Sequence, residues 1–556
     1  MKRNTLIIRF LFAALFLLST AVTQANSYQG AFYLKAGFPQ VAKPLLLKEL
    51  NADSATIAES CYHLGNIYFG ENMADSAAFF YKKGLSVYPL NSLNAVGLAM
   101  LKMKSNITEA NQDITTVLKM KGNKKNVDIQ IAIAYAYLSN GLFDEATTYQ
   151  EAAKKLKGKY AGVYVLLGDI LLAKKDVGAA CSNYEQAILF DAMCREAYIK
   201  YARAYNGVNP QLSIDKLGAL KEKDPSFLLV DKELADIYYT MNKFDEAVKH
   251  YEIYLQSGNS STKDKTKYAM TLFLKRDYTK SLEVAKLGLE KAPRNPAFNR
   301  LAMYNNVALK SYDDGLKYAD LLFNKSEKAD INYFDYTYYG QALRETKQFD
   351  LAIAQYEKAY KVDSSKIDLL KEIATMNYEK RDSLKGIAFQ EKYISLLTPD
   401  KRTGEVLFGM GKIYYGYATS MNDSVNAKGE FVMMKDLKKQ LLIKADTAFA
   451  QLSRLEPTAY RADFWRARVN FALDPQNTTA VAKTYYEKTL ALAESKADIK
   501  YNPVIIECSR YLGFYYYMKS DFTQSKVYWT KILAIDPNNG IAKKAMAGID
   551  NPKGKK

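Results

Sequence analysis

Tyr62-His63-Leu64-Gly65-Asn66-Ile67-Tyr68 is followed at fixed distance by Ala77, Tyr81, Gly84 and Pro89. A large residue, a small one and an aromatic recur here at helical spacing, and a proline closes the second run. Working outward, the same order returns. Ile133-Ala134 with Tyr137 precede Ala146 and Ala153; Leu167-Gly168 precede Ala180, Tyr184 and Ala187; Leu234-Ala235 with Tyr238 precede Ala247, Tyr251 and Tyr254. Tyr268-Ala269 precede Ser281, Ala285, Gly288 and Pro293, and Tyr339-Gly340 precede Ala352, Tyr356 and Ala359. Leu512-Gly513 with Tyr516 precede Ser525, Trp529, Ile532 and Pro537. The large residue that opens each set stands at 133, 167, 201, 234, 268 and 301, in steps of 33 or 34. Later markers at 339, 373 and 410 step by 38, 34 and 37, which leaves room for short loop insertions.

Each period is long enough for two helices and a turn. The small residues mark where the helices approach closely, since a larger group there would cost about 1–3 kcal/mol of strain. Tyr238 and Tyr251 supply bulk beside that contact. Asn242-Lys243-Phe244-Asp245-Glu246 and Thr346-Lys347-Gln348-Phe349-Asp350 read as polar turns that start the second helix, with Asp near its positive end. Pro89, Pro225, Pro293 and Pro537 stop second helices.

The pattern resembles the tetratricopeptide repeat. The resemblance implies an all-α solenoid, a right-handed superhelix of helix–turn–helix repeats in which stacking buries the apolar faces. It spans 26–418, with an imperfect first unit around Gly30, Tyr33, Ala42 and Leu46 and a degenerate stretch at 92–121. After Met410-Gly411-Tyr414 the second-helix markers Ala445, Phe449, Leu452 and Pro457 arrive about 22 residues late, so 419–439 reads as an insertion. Further repeats fill 440–537, and 538–556 reads as a capping helix with a basic tail at Lys553, Lys555 and Lys556.

The first 25 residues read as a secretory signal. Lys2, Arg3 and Arg9 are the positive region, Leu6 to Leu18 the apolar stretch, and Thr23 and Ala25 the cleavage-site residues. That predicts an exported, periplasmic chain starting near Asn26, with outer-membrane association open and membrane contact at most peripheral. Of 78 basic and 60 acidic residues, 75 and 60 remain after the leader, a net charge of +15. The lysines are dispersed along the chain, and with an export signal in front nucleic acid is not the expected partner.

No HExxH, GxSxG, phosphate loop or paired-cysteine metal site occurs. Only His63 and His250 are present, in different repeats, which argues against His-based catalysis or metal binding. Cys61, Cys181, Cys194 and Cys508 are too few for a disulfide framework and read as buried small hydrophobes. The expectation is a protein without enzymatic activity or cofactor.

In tetratricopeptide arrays the first helix of each unit lines a concave groove. Mapping that feature onto the repeat phase selects Tyr62, Asn66 and Phe69; Tyr135 and Leu138; Arg203 and Asn206; and Lys232, Asp236 and Tyr239. It continues with Thr266, Met270 and Phe273; Asn299, Met303 and Asn306; Gln341 and Arg344; and Lys371 and Tyr378. Lys412 and Tyr415, then Arg510, Phe514 and Tyr517, complete the set. Aromatics, amides and cations suit a protein-contact surface, while the same tyrosines also suit packing between first helices. The family's carboxylate clamp is not matched: Lys263 and Lys267 match its third unit only in part, and the units before supply Glu233 and Ile199. The resemblance therefore implies a binding scaffold for peptide segments or domains of envelope proteins. A glycan- or cell-wall-binding protein and an accessory subunit of an envelope enzyme or secretion complex stand as alternatives.

Overall fold

The computed structural model describes residues 29–326, 328–421 and 430–550. The expected leader at 1–25, residues 422–429 of the insertion and the basic tail lie outside the described residues. Within them every regular element is helical. The chain divides into two units, the first of residues 1–311 with 317–329, the second of 312–316 with 330–556.

In the first unit helices run in consecutive pairs: Gln29–Lys35 with Pro39–Glu49, Ser54–Gly70 with Ala74–Val87, Ser92–Lys102 with Ile107–Lys119, and Val127–Leu138 with Phe143–Leu156. Ala161–Ala173 with Val177–Phe190, Arg195–Tyr205 with Pro210–Lys223, Leu229–Thr240 with Phe244–Leu255, and Thr262–Leu274 with Tyr278–Lys291 follow. In the second unit Tyr333–Glu345 pairs with Phe349–Val362, Asp368–Glu379 with Ser383–Leu396, and Gly404–Ser420 with Glu430–Leu455. Tyr460–Leu473 with Val481–Glu494 and Asn502–Met518 with Phe522–Ile535 come next, before a last helix, Gly540–Asp550. This is an α-solenoid architecture, with each helix packed chiefly on its neighbours in sequence.

In five pairs the seam is an aromatic ring seated on a glycine of the first helix. A Cβ at Gly65 would lie 2.2 Å from the Tyr81 ring, one at Gly168 2.4 Å from Tyr184, and one at Gly340 2.5 Å from Tyr356. Gly513 meets Trp529 and Gly411 meets Phe449 in the same way. The ring follows its glycine by 16 residues in four of these pairs and by 38 at Gly411, a surplus of 22 that matches the insertion. Tyr81 is clamped on its other side by Gly97, which is how the weakly marked 92–121 stretch still joins the stack. The ring hydroxyls are satisfied by the residue after the small one: Tyr81 donates to Asn66 at 2.7 Å, Tyr184 to Asp169 at 2.8 Å, and Tyr251 to Asp236 at 2.5 Å.

The turns repeat as faithfully. A left-handed residue stands at 72, 141, 175, 242, 276, 310, 347, 381 and 520, and only Gly141 among them is glycine. At each, the next N–H reaches back to a first-helix carbonyl, for example Met73 to Tyr68, Lys243 to Tyr238 and Asp521 to Tyr516, all at 2.9 Å. That is a Schellman closure. The second helix then starts on an aspartate cap at Asp176, Asp277, Asp382 and Asp521. Second helices end at Val87, Lys223, Lys291 and Ile535, two residues before Pro89, Pro225, Pro293 and Pro537. All four cysteines are free, and Cys61, Cys181 and Cys508 are buried.

One contact is not local. The N-terminal helix closes at Gly37, whose φ of +83° is the left-handed conformation glycine tolerates. The Gly37 carbonyl accepts from Arg203 Nη1 at 3.0 Å across 166 residues, and a Cβ at Gly37 would lie 2.5 Å from that nitrogen. Phe38 is fully buried in a core shared with Tyr198, Leu217, Phe227 and Leu234, under the Arg203 guanidinium. Arg195 lies over the Phe32 and Phe227 rings and pairs with Asp224. The first helix pair is therefore fastened to the sixth and seventh, and the intervening pairs bow around a half-open space. Phe38→Ala removes the anchor, at a cost of about 3–5 kcal/mol for a buried Phe truncation. Amide exchange over residues 30–49 should then accelerate about 100-fold, with that of 333–362 unchanged; equal protection in both proteins would contradict the fastening.

Candidate functional site

The half-open space in the first unit is a cavity of about 860 Å³. Tyr62, Asn66 and Phe69 line it from one first helix, Ile131, Ala132 and Tyr135 from another, and Val96 and Met100 from the helix between. Leu34 and Lys35 close it from the N-terminal helix, and Glu196 and Lys200 from the sixth pair. Its wall carries both signs of charge. Lys200 bridges Glu196 at 2.8 Å and Asp169, whose carboxylate also accepts from Tyr135 at 2.7 Å. Burial pushes the Glu196 carboxyl above its ordinary range despite Lys200. Glu59 moves the other way: His63, whose Nε2 lies 3.8 Å from the carboxylate, holds it down against burial, helped by Lys35.

A second, smaller cavity of about 480 Å³ lies in the second unit. Tyr415, Arg510 and Phe514 of the predicted set line it, together with Arg468, Phe471, Glu507, Tyr486, Tyr511, Tyr515 and Met518. Arg468 and Glu507 form a bidentate pair at 2.7 and 2.6 Å. Tyr511 stacks on Tyr486 at 4.1 Å and its hydroxyl is bonded to Asn477.

Other predicted groove residues are spent on the fold. Asn299, Met303 and Asn306 are buried, which removes them from any ligand surface; Asn299 donates to the Pro293 carbonyl at 3.1 Å and to Ser326 at 3.2 Å. Arg203 is not free for a ligand either, because it grips Glu233 through two hydrogen bonds and the Gly37 carbonyl through a third. Tyr378 is a packing residue: its ring fills the place of a Cβ at Gly386, and its hydroxyl is buried. Asn206 caps a helix end with its amide oxygen buried. Met270 packs against a core and Phe273 against Tyr278 and Tyr304. Arg344 pairs with Glu372, whereas Lys371 is exposed and Lys412 reaches over Phe408 and Trp465. Tyr517 packs edge-on to Phe522. Lys232, Asp236 and Tyr239 form one cluster: Asp236 accepts from Lys232 at 2.9 Å and from Lys267 at 2.7 Å, and the Lys267 ammonium lies 5.6 Å from the Tyr239 ring.

Sequence reasoning missed the acidic wall. Counting back six residues from the small residue of a first helix gives Glu59 from Gly65, Asp128 from Ala134, Glu196 from Ala202 and Glu507 from Gly513. All four line the two cavities. The expected groove positions lie three residues before the small residue and one and four after it, so this register, about one turn earlier, went unread.

None of the four thiols is activated. Burial pushes the Cys181 and Cys194 thiols up to about 11 and raises Cys61 and Cys508 too, so all four stay protonated and weakly nucleophilic near neutrality. Among the described residues no cluster of His, Cys, Asp and Glu has metal-holding geometry, and no helix is long and apolar enough to cross a membrane.

Paired helices, a recurring glycine–aromatic seam and inward-facing first helices define a helical repeat protein. Four of its stretches match the tetratricopeptide repeat, at residues 58–89, 127–160, 161–192 and 336–366. Three solved structures resemble parts of it. The C-terminal part of a repeat-containing protein of the same type from Cytophaga hutchinsonii is 27% identical, covering 50% of this chain and 99% of its own, with a TM-score of 0.35. A tetratricopeptide repeat protein from Parabacteroides merdae is 14% identical over 45% of this chain and 98% of its own, TM-score 0.32. MamA from Desulfovibrio magneticus is 16% identical over 30% and 94%, TM-score 0.28. No curated protein matches the sequence.

The Asp236 cluster yields a pH prediction. Burial raises the Asp236 carboxyl, but Lys232, Lys267 and the Tyr251 hydroxyl outweigh it and hold the pKa below the ordinary carboxylate value. A lowered folded pKa means stability that is complete above the unfolded value of about 3.9 and is lost as pH falls through the folded one. Asp236→Asn should lower the melting temperature of the first unit at pH 6–7, and the gap to wild type should narrow progressively as pH falls below about 3.9. A constant gap across that range would show that the charge is not the cause.

Proposed function

We propose that the chain is a non-enzymatic scaffold of the cell envelope that binds peptide segments or domains of other proteins on the inward faces of its first helices. What carries this reading is the first cavity, where Tyr62, Asn66 and Phe69 of one repeat and Tyr135 of another meet around one space. Aromatic and apolar walls with a few charges of both signs suit a peptide, whose backbone needs hydrogen-bond partners and whose side chains need greasy pockets. Repeat solenoids present extended surfaces of this kind. Export is supported by Lys2, Arg3 and Arg9 around the apolar stretch Leu6 to Leu18, and mass spectrometry of the mature N-terminus tests it.

A photo-crosslinking residue at position 69, on the cavity wall, is expected to capture discrete protein partners in intact cells. The same residue at position 79, where Phe79 is exposed on a second helix, should not capture them. Adding Tyr62→Ala and Tyr135→Ala should reduce the position-69 adducts about 10-fold or more. Identical adducts from positions 69 and 79, or adducts indifferent to the two tyrosines, would overturn the assignment.

A further inference from the structure

The second unit has a surface that its own fold covers only in part. Arg510, Phe514 and Met518 stand at four-residue intervals on the helix Asn502–Met518, so they share one face. Phe514 is 48% exposed and Met518 78%, and Phe471, 41% exposed, stands on the other wall of the same cavity. Large apolar side chains gathered at a concave site and left in water mark a contact surface. The floor beneath them is rigid: Tyr511 is held between the Tyr486 ring and Asn477.

Charge identifies the occupant. Glu507, the carboxylate of the lining, is neutralised by the bidentate Arg468. Arg510 is exposed and makes no ion pair among the described residues. The cavity therefore offers one uncommitted guanidinium beside apolar walls. A basic segment would meet like charge, and a neutral apolar one would leave the guanidinium unanswered.

We propose that the second unit holds a binding site of its own for a protein segment that sets a carboxylate beside a large apolar side chain. The carboxylate pairs with Arg510, and the apolar group lies between Phe514, Met518 and Phe471. This site rests on the reading of the chain as a protein-binding scaffold and gives it a second, chemically distinct port.

The chain carries its own reporter. Its two tryptophans both adjoin this cavity: Trp465 packs on Tyr415 at 5.4 Å and Trp529 on Phe514 at 4.9 Å. Tryptophan emission of the full chain is followed during titration with capped ten-residue peptides on a Gly/Ser background. Their centres are Glu-Phe-Glu-Leu, Lys-Phe-Lys-Leu, Ser-Phe-Ser-Leu and Glu-Ser-Glu-Ser. Only the first is expected to give a saturable change with submillimolar affinity. Arg510→Glu and Phe514→Ala should each weaken it about 10-fold or more, and Arg510→Lys by only about 3-fold. Raising salt to about 0.5 M should weaken it as well. Arg510 is exposed, so its variants keep the fold, which far-ultraviolet circular dichroism checks.

Tyr62→Ala with Tyr135→Ala should leave the peptide affinity unchanged, so this site and the first cavity can fail separately. The proposal is overturned if the Lys-Phe peptide binds as tightly, if Arg510→Glu binds like wild type, or if no peptide saturates below about 1 mM. It is equally overturned if an acidic oligosaccharide such as trigalacturonate gives the Arg510-dependent signal and the Glu-Phe peptide does not.

Discussion

The interaction on which the rest depends is an aromatic ring from the second helix of a pair lying where a side chain would be on the first. At Gly65, Gly168, Gly340, Gly411 and Gly513 a single added carbon would collide with the ring at 2.2 to 2.7 Å. Removing that carbon lets the helices approach until the ring is buried on both faces, which is worth roughly 2–3 kcal/mol of apolar transfer per ring. The ring then becomes the floor for the next first helix, as Tyr81 does for Gly97. Since each pair completes its neighbour's core, no pair is stable alone and the stack has to be contiguous.

The tyrosine hydroxyl extends the same contact to the inner face of the first helix. Burying it requires a partner, and the partner is the residue after the small one, Asn66, Asp169 or Asp236, on the inner face of the first helix. The polar lining of the cavity is thus set in part by what the core needs. Asp169 shows the economy: it accepts from Tyr184 below, from Tyr135 beside it and from Lys200 across the next pair. Satisfaction of a buried hydroxyl and pair-to-pair adhesion share one carboxylate.

This explains what could be read in the sequence. The seam is local, with partners 16 residues apart, so Gly168 with Tyr184 or Gly340 with Tyr356 announces a helix pair wherever it occurs. The delayed Phe449 announces an insertion for the same reason. Depth is not local. Asn299 and Met303 carry the phase of groove residues, yet they are buried, because phase gives the direction a side chain leaves its helix and not what stands in front of it. The Gly37–Arg203 contact spans 166 residues and depends on how several turns accumulate, which no repeat-length window contains. The acidic wall at Glu59, Asp128, Glu196 and Glu507 was legible in principle, from a register one helical turn earlier than the tyrosines drew attention to.

A double-mutant cycle between Gly168 and Tyr184 tests the seam most directly. An alanine in a helix interior is ordinarily about 1 kcal/mol better than glycine, whereas forcing a Cβ against a seated ring costs about 1–3 kcal/mol. Gly168→Ala should therefore destabilise the first unit when Tyr184 is present and stabilise it when Tyr184 is replaced by alanine. That reversal of sign, followed by chemical denaturation, is the predicted result. Equal effects in both backgrounds, within about 0.5 kcal/mol, would show that the ring and the glycine are not coupled and that something else holds the pairs together.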